Sequence, residues 1–300
     1  MAKLHKYIVA VSGGVDSVVL LHKLASQGQV QLVVAHFDHG IRPDSAEDRK
    51  FVQKLAKKYG LSFEYAEGKL GANASEALAR NARYQFLNKI KRKYQAEAIV
   101  TAHHQDDVIE TAIINLLRGT KRKGLSSLGS RPGLFRPLID DTKFTIVKYA
   151  TKHRLSWRED STNRDTAYLR NYIRHVLIPR LDKATPAWRD KFLEKLKRGR
   201  QLNQEIDTMV DDLLKQIVSR SRSGKQIKRQ DLIDLPGEVG RELLKRLLGR
   251  TAKLDLDQRK IKKTWLFSKT AQPGARLQLG KHAEIEIKDD YVLVKTKTSG

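Results

Sequence analysis

An apolar run that leads straight into a glycine-rich turn limits the fold of this chain more than any other segment does. Residues Tyr7–Val11 are all apolar, which is typical of a strand covered on both faces of a sheet. The turn that follows reads Ser12-Gly13-Gly14-Val15-Asp16-Ser17, and apolar residues at helical spacing then continue to Leu24. Because a strand, a tight turn and a helix succeed one another without a spacer, the segment predicts a loop at the carboxyl end of a buried strand.

This loop has the residue types of a phosphate-binding turn. Its two glycines let backbone N–H groups approach an anion, and the helix that begins beside them adds a partial positive charge. Ser12 and Ser17 offer hydroxyl groups to phosphate oxygens, whereas Asp16 is suited to a metal ion or an amine. The loop is not a Walker A motif, because no lysine stands directly before its last serine. The alternative is a tight turn that uses glycine for geometry alone.

Strands and helices alternate through the first half of the chain. Further strands are predicted over Val30–Phe37, Leu61–Ala66 and Ala98–Ala102, and further helices over Ala46–Tyr59, Ala74–Lys93 and Asp106–Leu117. Such alternation predicts an α/β fold with a doubly wound parallel sheet, whose ligands bind at the carboxyl ends of the strands.

The pattern changes after Gly119. Residues 119–137 mix Gly, Ser and basic residues and are predicted to form a loop, and Pro179 and Pro186 then indicate a domain boundary near residue 185. Helices are predicted over Phe144–His153, Tyr168–Leu181, 187–219, Asp231–Leu248 and Leu256–Phe267, with a short antiparallel meander in the tail. We therefore predict one domain over 1–185 and a smaller, mainly helical α+β domain over 186–300.

The charge balance indicates a polyanionic partner. The 300 residues include 59 Lys and Arg against 34 Asp and Glu, a formal net charge of +25 at pH 7. Residues 181–270 alone carry 23 basic and 13 acidic side chains, so the second domain is basic too. Nucleic acid is the first candidate for such a surface and an anionic membrane the second. A basic protein without such a partner is the alternative.

The absence of cysteine removes several kinds of chemistry. The chain contains no cysteine, so it has no disulfides, cysteine-ligated zinc, iron–sulfur clusters or thiol nucleophiles. The N-terminal residues lack the apolar core of a signal peptide, and no apolar stretch approaches the roughly 18 residues that cross a bilayer. A soluble, cytoplasmic protein is predicted.

Acidic residues open the helix that follows the strand at Ala98–Ala102. Asp106 and Glu110 are four residues apart and therefore share one helix face. Two carboxylates that face one cleft repel each other unless a cation lies between them, and both Mg²⁺ and a lysine substrate qualify. The alternative is that acidic residues in a first helical turn simply interact with the helix dipole.

Histidines and arginines mark further candidate positions. His103 and His104 are metal-ligand types, but adjacent side chains point apart, so His103 is interpreted as a phosphate contact rather than half of a metal site. Arg80 and Arg83 lie one helical turn apart, as do Asn171 and Arg174. Spacing alone does not decide whether Arg80 and Arg83 are solvated surface residues or ligand contacts.

The loop Ser12–Ser17 resembles that of the PP-loop ATP pyrophosphatase family, whose members cleave ATP to AMP and pyrophosphate while activating a carbonyl oxygen. Within that family the chain is similar to the tRNA(Ile)-lysidine synthetases over residues 7–180. The segments that carry this resemblance are Ser12–Ser17, His36–Arg42, Ala77–Tyr84, Thr101–Asp107 with Glu110, Asn115–Gly119, Trp157 with Glu159–Asn163, and Leu169–Arg174. The resemblance implies a PP-loop domain of the adenine nucleotide α-hydrolase-like fold.

The resemblance also implies a reaction and its participants. ATP activates C2 of the wobble cytidine in a CAU-anticodon tRNA(Ile), and the ε-amine of L-lysine then replaces AMP. The residues implied to contact ATP and its pyrophosphate are Ser12, Gly13, Gly14, Val15, Asp16, Ser17, His36, Arg80 and His103. Asp16 and Glu110 are implied to bind lysine, Asp106 is a further catalytic carboxylate, and Asp16 also binds Mg²⁺. The implied tRNA contacts are Arg83, Arg118, Asn171 and Arg174. A homodimer is also expected, and so is tRNA contact by Lys121 and its basic neighbours.

Two other functions remain open. A tRNA thiolase of the same loop family would use the same ATP chemistry, although such enzymes typically carry sulfur on cysteine or use an iron–sulfur cluster. A non-catalytic RNA-binding protein would keep the nucleotide pocket as a switch.

Overall fold

The computed structural model describes residues 5–28, 30–40, 45–68, 76–120, 122–125, 128–159, 165–166, 168–222, 224–252, 254, 256–280 and 283–296. The chain forms two compact units, Met1–Gly199 and Arg200–Gly300. This division falls inside one helix, Trp188–Ile217, whereas the functional boundary predicted near residue 185 stays a prediction. Within the described ranges, no helix has the length and apolarity needed to cross a bilayer.

A parallel sheet forms the centre of the first unit. Its strands are β1 (His5–Ala10), β2 (Val30–Asp38), β3 (Ser62–Glu67), β4 (Ala98–Val100) and β5 (Leu134–Phe135). They lie in the order β3-β2-β1-β4-β5, and each neighbouring pair is parallel. The chain thus leaves β1 in one direction along the sheet and later returns to the opposite side of it. The predicted α/β class with a doubly wound parallel sheet is confirmed.

Helices cover both faces of this sheet. They are α1 (Val15–Gln27), α2 (Ser45–Lys58), α3 (Glu76–Lys93), α4 (Gln105–Leu117), α5 (Arg122–Leu125) and α6 (Lys143–Lys152). Adjacent residues of β1 point to opposite faces: Val9 packs in the cluster of α1, α2 and α6, whereas Ile8 packs with α3. Both side chains are fully buried, which explains why the strand is apolar throughout.

Two predictions for the first unit were incomplete. The predicted loop 119–137 contains α5 and β5, and β5 has no sequence periodicity because it is only two residues long. The single predicted helix Tyr168–Leu181 is α7 (Leu169–Tyr172), a π-helical turn over Ile173–Leu177 and α8 (Ile178–Ala184). Pro179 lies in the first turn of α8, where a missing N–H group is tolerated. In the π-helical turn before α8, the Ile178 N–H is bonded to the Ile173 carbonyl, so one extra residue is accommodated between α7 and α8.

The second unit is an antiparallel sheet covered by helices. Its strands are β6 (Val218–Ser221), β7 (Gly224–Lys228), β8 (Arg276–Gln278), β9 (Ala283–Ile287) and β10 (Tyr291–Thr296), in the order β6-β7-β10-β9-β8. The helices are the part of α9 (Trp188–Ile217) after Gly199, α10 (Arg229–Asp234), α11 (Gly237–Ala252) and α12 (Gln258–Thr270). Alternate residues of β9, such as Ile285 and Ile287, are fully buried in the core with residues of α11.

The mainly helical prediction for this unit missed a hairpin. Strands β6 and β7 lie where the predicted helix 187–219 was expected to end, in a segment rich in Ser, Arg and Lys. Their strand character comes from pairing with β10, which joins the hairpin to the predicted meander. The predicted helix Asp231–Leu248 is two helices, because Pro236 biases Leu235 towards the extended conformation that it adopts.

Gly224 is required where the hairpin meets β10. Its φ is +152°, and a Cβ atom there would overlap the carbonyl oxygen of Val294. We expect Gly224→Ala to lower the free energy of unfolding by about 1–3 kcal/mol, measured by urea denaturation. Gly199→Ala is the control, because Gly199 lies inside α9 with nothing within 4 Å of the added atom. Gly199→Ala should be neutral or stabilising. Equal effects of the two changes would contradict this account of the hairpin.

Candidate active site

The candidate site lies where the strand order reverses. Strand β1 pairs with β2 on one side and with β4 on the other, and both β1 and β4 run into loops at the same edge of the sheet. Helices α1 and α4 begin at these loops, so two helix N-termini lie at one edge. Open parallel sheets bind ligands at this position, because the connections diverge there and leave a crevice.

The loop between β1 and α1 is held by the hydroxyl of Ser17. That oxygen accepts hydrogen bonds from the backbone N–H groups of Ser12 and Gly13, both at 3.2 Å, and donates to the Gly14 carbonyl at 2.8 Å. Gly13 has a φ of +100°, a conformation that favours glycine. Gly14 precedes α1, and no side chain at Gly14 caps the first N–H groups of this helix, so these groups are the donors that an anion at the loop would use.

Asp16 is bound by a lysine of the same chain. The Lys143 Nζ atom lies 2.7 and 2.9 Å from the two carboxylate oxygens of Asp16. Lys143 is the first residue of α6, where the helix dipole disfavours a positive charge, so its ion pair with Asp16 compensates for an unfavourable position. Lys143 was not predicted as a site residue, because nothing in the sequence around it shows that α6 packs beside the loop.

His104 fixes the start of α4. Its Nδ1 atom accepts a hydrogen bond from the Asp106 N–H at 3.3 Å, and the Asp107 carboxylate accepts one from the His104 N–H at 2.9 Å. Because Nδ1 is an acceptor, Nε2 is the ring nitrogen that can donate, and it lies 3.8 Å from Asp16 Oδ1. The capping box fixes the first turn of α4, and the His104 ring lies beside the Asp16 carboxylate of the β1 loop.

Glu110 is completely buried and bound by Arg174. The Arg174 Nε and Nη2 atoms lie 2.6 and 2.8 Å from the two oxygens of Glu110, and its Nη2 lies 3.6 Å from Asp107. Burial acts to lower the pKa of Arg174, but the hydrogen bonds and charge of Glu110 outweigh it, so this pKa is raised. The fork geometry is that of an ionised pair. Glu110, which was predicted to bind lysine, and Arg174, which was predicted to contact tRNA, are thus bound to each other.

His103 faces away from His104, towards a group of arginines. Its Nδ1 atom lies 2.8 Å from the Thr101 hydroxyl and accepts a hydrogen bond from Arg136 Nε at 3.4 Å. Burial and the neighbouring guanidinium groups, led by those of Arg136 and Arg83, lower the pKa of His103 to about 2. The ring is therefore neutral at physiological pH. Arg136 lies just after β5 and was missed because that strand was missed.

The remaining predicted residues are spread around this edge or away from it. His36 is buried at the end of β2, where its Nδ1–H donates to the Val11 carbonyl at 2.8 Å, and burial lowers its pKa. Asp106 binds Arg189 at 2.7 Å. Arg118 is exposed at the opposite end of α4, about 20 Å along a helix of this length. Asn171 is partly buried and donates to the Asp165 carbonyl at 2.8 Å.

Some predictions fall outside the described residues. These are Lys121, Arg42 and the segment Asp160-Ser161-Thr162-Asn163. Within the described part of the chain, no three His, Asp or Glu side chains form a group that would hold a metal ion by themselves.

The low pKa of His103 makes stability depend on pH. Between about pH 2 and pH 6.5 the unfolded chain binds a proton at His103 that the folded chain does not, so stability falls as pH decreases through this range. We expect His103→Gln to reduce that dependence by up to about 1.4 kcal/mol per pH unit below pH 6.5. Urea denaturation at several pH values measures it. His5→Gln, at an exposed position, is the control, and identical pH profiles for His103→Gln and the unsubstituted protein would contradict the prediction.

Comparisons with known proteins agree with this geometry. The family model of the PP-loop domain matches residues 2–181. The tRNA(Ile)-lysidine synthase of Nitrosomonas europaea is 37% identical over 256 residues, which span 81% of this chain and 54% of that protein. The tRNA(Ile)-lysidine synthase of Thermotoga maritima is 31% identical over 253 residues, which span 81% of this chain and 61% of that protein. The chain thus spans between half and two thirds of the length of these relatives.

One solved structure supports the fold alone. The U34-tRNA thiolase NcsA from Methanococcus maripaludis with its [4Fe-4S] cluster is similar with a TM-score of 0.55 at 19% identity, over 65% of this chain and 73% of that chain. The matched PP-loop domain covers more than half of the sequence, and its loop has the glycine and serine geometry described above. The chain belongs to the PP-loop family.

Proposed function

We propose that this protein forms lysidine in tRNA(Ile), using ATP and free L-lysine. The observation that carries the proposal is the ion pair of Asp16 and Lys143, at 2.7 and 2.9 Å. In this ion pair the Asp16 carboxylate binds an ε-ammonium group, the group that a lysine substrate presents, which supports the proposal. The names of the curated relatives and the formal net charge of +25 support the same reaction.

The loop Ser12–Ser17 would bind the pyrophosphate of ATP. Its backbone donors and the N-terminus of α1 stabilise the charge that develops on the leaving group when O2 of the wobble cytosine attacks the α-phosphorus. His36, Arg80 and His103 remain proposed ATP contacts. Mg²⁺ fits a site of this kind, because it commonly binds one or two carboxylates plus phosphate oxygens, and Asp16 would be its protein ligand and would supply charge neutralisation.

The carboxylates of the site would bind the lysine. A free lysine amine has a pKa near 10.4, so the site must bind the ammonium and release its proton before the nitrogen attacks C2 of the activated base. Asp16 and Glu110 are the proposed ligands, and Asp106 is a further carboxylate nearby. Glu110 already holds Arg174, so binding an ammonium there exchanges one cation for another.

The tRNA would contact basic surfaces of both units. Among the proposed contacts, Arg118 is exposed and accessible to a phosphate backbone, whereas Arg83, Asn171 and Arg174 are partly buried. Residues 186–300 are proposed to bind tRNA through their excess of basic side chains. We also propose that the protein recognises the CAU anticodon of the tRNA, that it is cytoplasmic and that it forms a homodimer.

A thiolase activity is the second candidate, because one solved structure with a similar fold is that of a tRNA thiolase. That structure contains a [4Fe-4S] cluster, and such clusters are held by cysteine thiolates. This chain contains no cysteine. A reaction in which lysine is the nucleophile requires no cysteine, so the absence of cysteine favours lysidine formation over thiolation.

The first test is mass analysis of tRNA nucleosides after incubation with ATP and lysine. Lysidine should form only when ATP, L-lysine and CAU-anticodon tRNA(Ile) are all present. Asp16→Asn should lower its yield by about 100-fold or more while tRNA binding stays measurable, because the charged contact to lysine and Mg²⁺ is lost.

Asp141→Asn is the matched control for Asp16→Asn. It removes a second ion pair of α1, in which Lys23 Nζ lies 2.9 Å from Asp141, two residues before α6. Normal turnover of Asp16→Asn, or the same loss in both variants, would exclude Asp16 from the proposed mechanism. Absence of lysidine with the unsubstituted protein would refute the proposed function itself.

The affinity for tRNA should fall steeply with salt. In filter binding, the logarithm of the association constant should decrease linearly with the logarithm of salt concentration. Arg118→Gln should reduce the slope by about one, because one phosphate contact is lost. Lys54→Gln removes the same charge from an exposed site on α2 and should leave the slope unchanged. A flat salt response would mean that the net charge does not serve RNA binding.

A further inference from the structure

Arg158 supports the loop Ser12–Ser17 from a distant part of the chain. It lies in the irregular segment that follows α6, and its backbone N–H donates a hydrogen bond to the Gly13 carbonyl at 3.0 Å. The Cγ atom of Arg158 also lies 3.8 Å from the position that a Cβ atom on Gly13 would occupy. Both the backbone and the side chain of Arg158 therefore pack against Gly13.

The guanidinium group of Arg158 is bound to the first turn of α2. Its Nε atom donates to the Asp48 carboxylate and its Nη2 atom to the Glu47 carboxylate, both at 2.9 Å. Asp48 is buried, whereas the Glu47 side chain is 64% exposed. An ion pair with a buried carboxylate is stronger than one in solvent, because less water screens the two charges. Asp48 is therefore the main anchor of the Arg158 side chain.

Helix α2 and Arg158 together enclose Gly13. The Phe51 and Val52 side chains lie 3.6 Å from the position of a Cβ atom on Gly13, so α2 packs against the same residue as Arg158 does. Trp157, the residue before Arg158, packs in the hydrophobic cluster of α1, α2 and α6. The position of Gly13 therefore depends on the packing of α2 and of the segment that contains Arg158.

The hydrogen bond to the Gly13 carbonyl fixes the direction of the Gly14 N–H group. These two groups belong to one trans peptide, in which the carbonyl and the N–H point in opposite directions. Because the carbonyl points towards Arg158, the Gly14 N–H points away from Arg158, to the side of the loop where the Ser12 hydroxyl lies. The Gly14 nitrogen lies 3.4 Å from Ser12 Oγ, which is long for a hydrogen bond, so a phosphate oxygen can replace this weak acceptor.

We propose that Arg158 is a positioning residue for pyrophosphate binding by the loop Ser12–Ser17. The Asp48 carboxylate holds the Arg158 side chain, and the Arg158 N–H holds the Gly13 carbonyl. The Gly14 N–H consequently faces an anion bound at the N-terminus of α1. A donor that is ordered before the ligand arrives does not have to be ordered by binding, so affinity is higher. Pyrophosphate as the ligand rests on the proposed function.

The substitution Asp48→Asn separates an effect of position from an effect of charge. Removing a negative charge beside the loop would by itself strengthen the binding of an anion. If Arg158 acts by position, the same substitution weakens anion binding, because the Arg158 side chain loses its main anchor. Arg158→Met should also weaken binding, and Arg158→Lys should recover part of the affinity, because an ammonium group can still pair with Asp48. Lys50→Met is the matched control, since it removes a positive charge from an exposed site on α2.

Calorimetry with the full chain at a fixed Mg²⁺ concentration gives the dissociation constants of inorganic pyrophosphate, ATP and adenosine. Arg158→Met and Asp48→Asn should each weaken the binding of pyrophosphate and of ATP by about 3- to 10-fold, the scale of one net hydrogen bond. The affinity for adenosine should stay unchanged, because adenosine has no phosphate, whereas a general loss of structure would lower all three affinities. Lys50→Met should leave all three unchanged. If Arg158→Met does not fold in urea denaturation, the sign of the change in Asp48→Asn decides.

Three results would overturn the positioning role of Arg158. The first is that Asp48→Asn binds pyrophosphate as tightly as the unsubstituted protein does, or more tightly. The second is that the affinity for adenosine falls as much as the affinity for pyrophosphate. The third is that the unsubstituted protein does not bind pyrophosphate.

Failure of the proposed function and failure of the positioning role give different results. If the unsubstituted protein forms no lysidine but Asp48→Asn weakens the binding of pyrophosphate and not of adenosine, the proposed function fails and the positioning role stands. If lysidine forms normally and both variants bind pyrophosphate as the unsubstituted protein does, the positioning role fails and the proposed function stands.

Discussion

The parallel pairing of β1 with β4 is the constraint on which the candidate site depends. Tyr7 pairs with Ala98 and Val9 with Val100, so both strands end at the same level of the sheet. The anion-binding loop, the two histidines and the N-termini of α1 and α4 therefore meet at one edge. Both faces of β1 are buried, so a shift of one residue would exchange Ile8 and Val9 between two different cores. The hydrophobic core thus fixes the register that aligns the polar site.

Charge neutralisation within the chain shapes the acidic half of the site. The three carboxylates proposed as catalytic each bind a cation from a later segment: Asp16 binds Lys143, Asp106 binds Arg189 and Glu110 binds Arg174. Carboxylates grouped at a low-dielectric edge would otherwise repel one another. In these contacts each carboxylate binds an ammonium or guanidinium group of the chain itself.

Sequence reasoning was most accurate where one segment contains the whole signal. The loop Ser12–Ser17 needs only its own glycines, serines and flanking elements, and the structure forms it as a strand–loop–helix unit. The short strand β5 and the hairpin β6–β7 have no periodicity of their own, because their strand character comes from distant partners. Arg136 was missed together with β5, and Lys143 was missed because its role depends on the packing of α6 beside α1.

The sequence by itself determined the α/β class, the PP-loop and the basic character of the chain, because apolar periodicity, glycine positions and net charge are local or additive properties. Tertiary structure decided which charges meet. Asp16 and Lys143 are 127 residues apart in sequence, Glu110 and Arg174 are 64 apart, and no spacing rule connects them. His103 and His104 are adjacent, yet one faces arginines and the other caps a helix beside Asp16. Long-range electrostatic partners depend on the packing of elements, which a linear pattern does not contain.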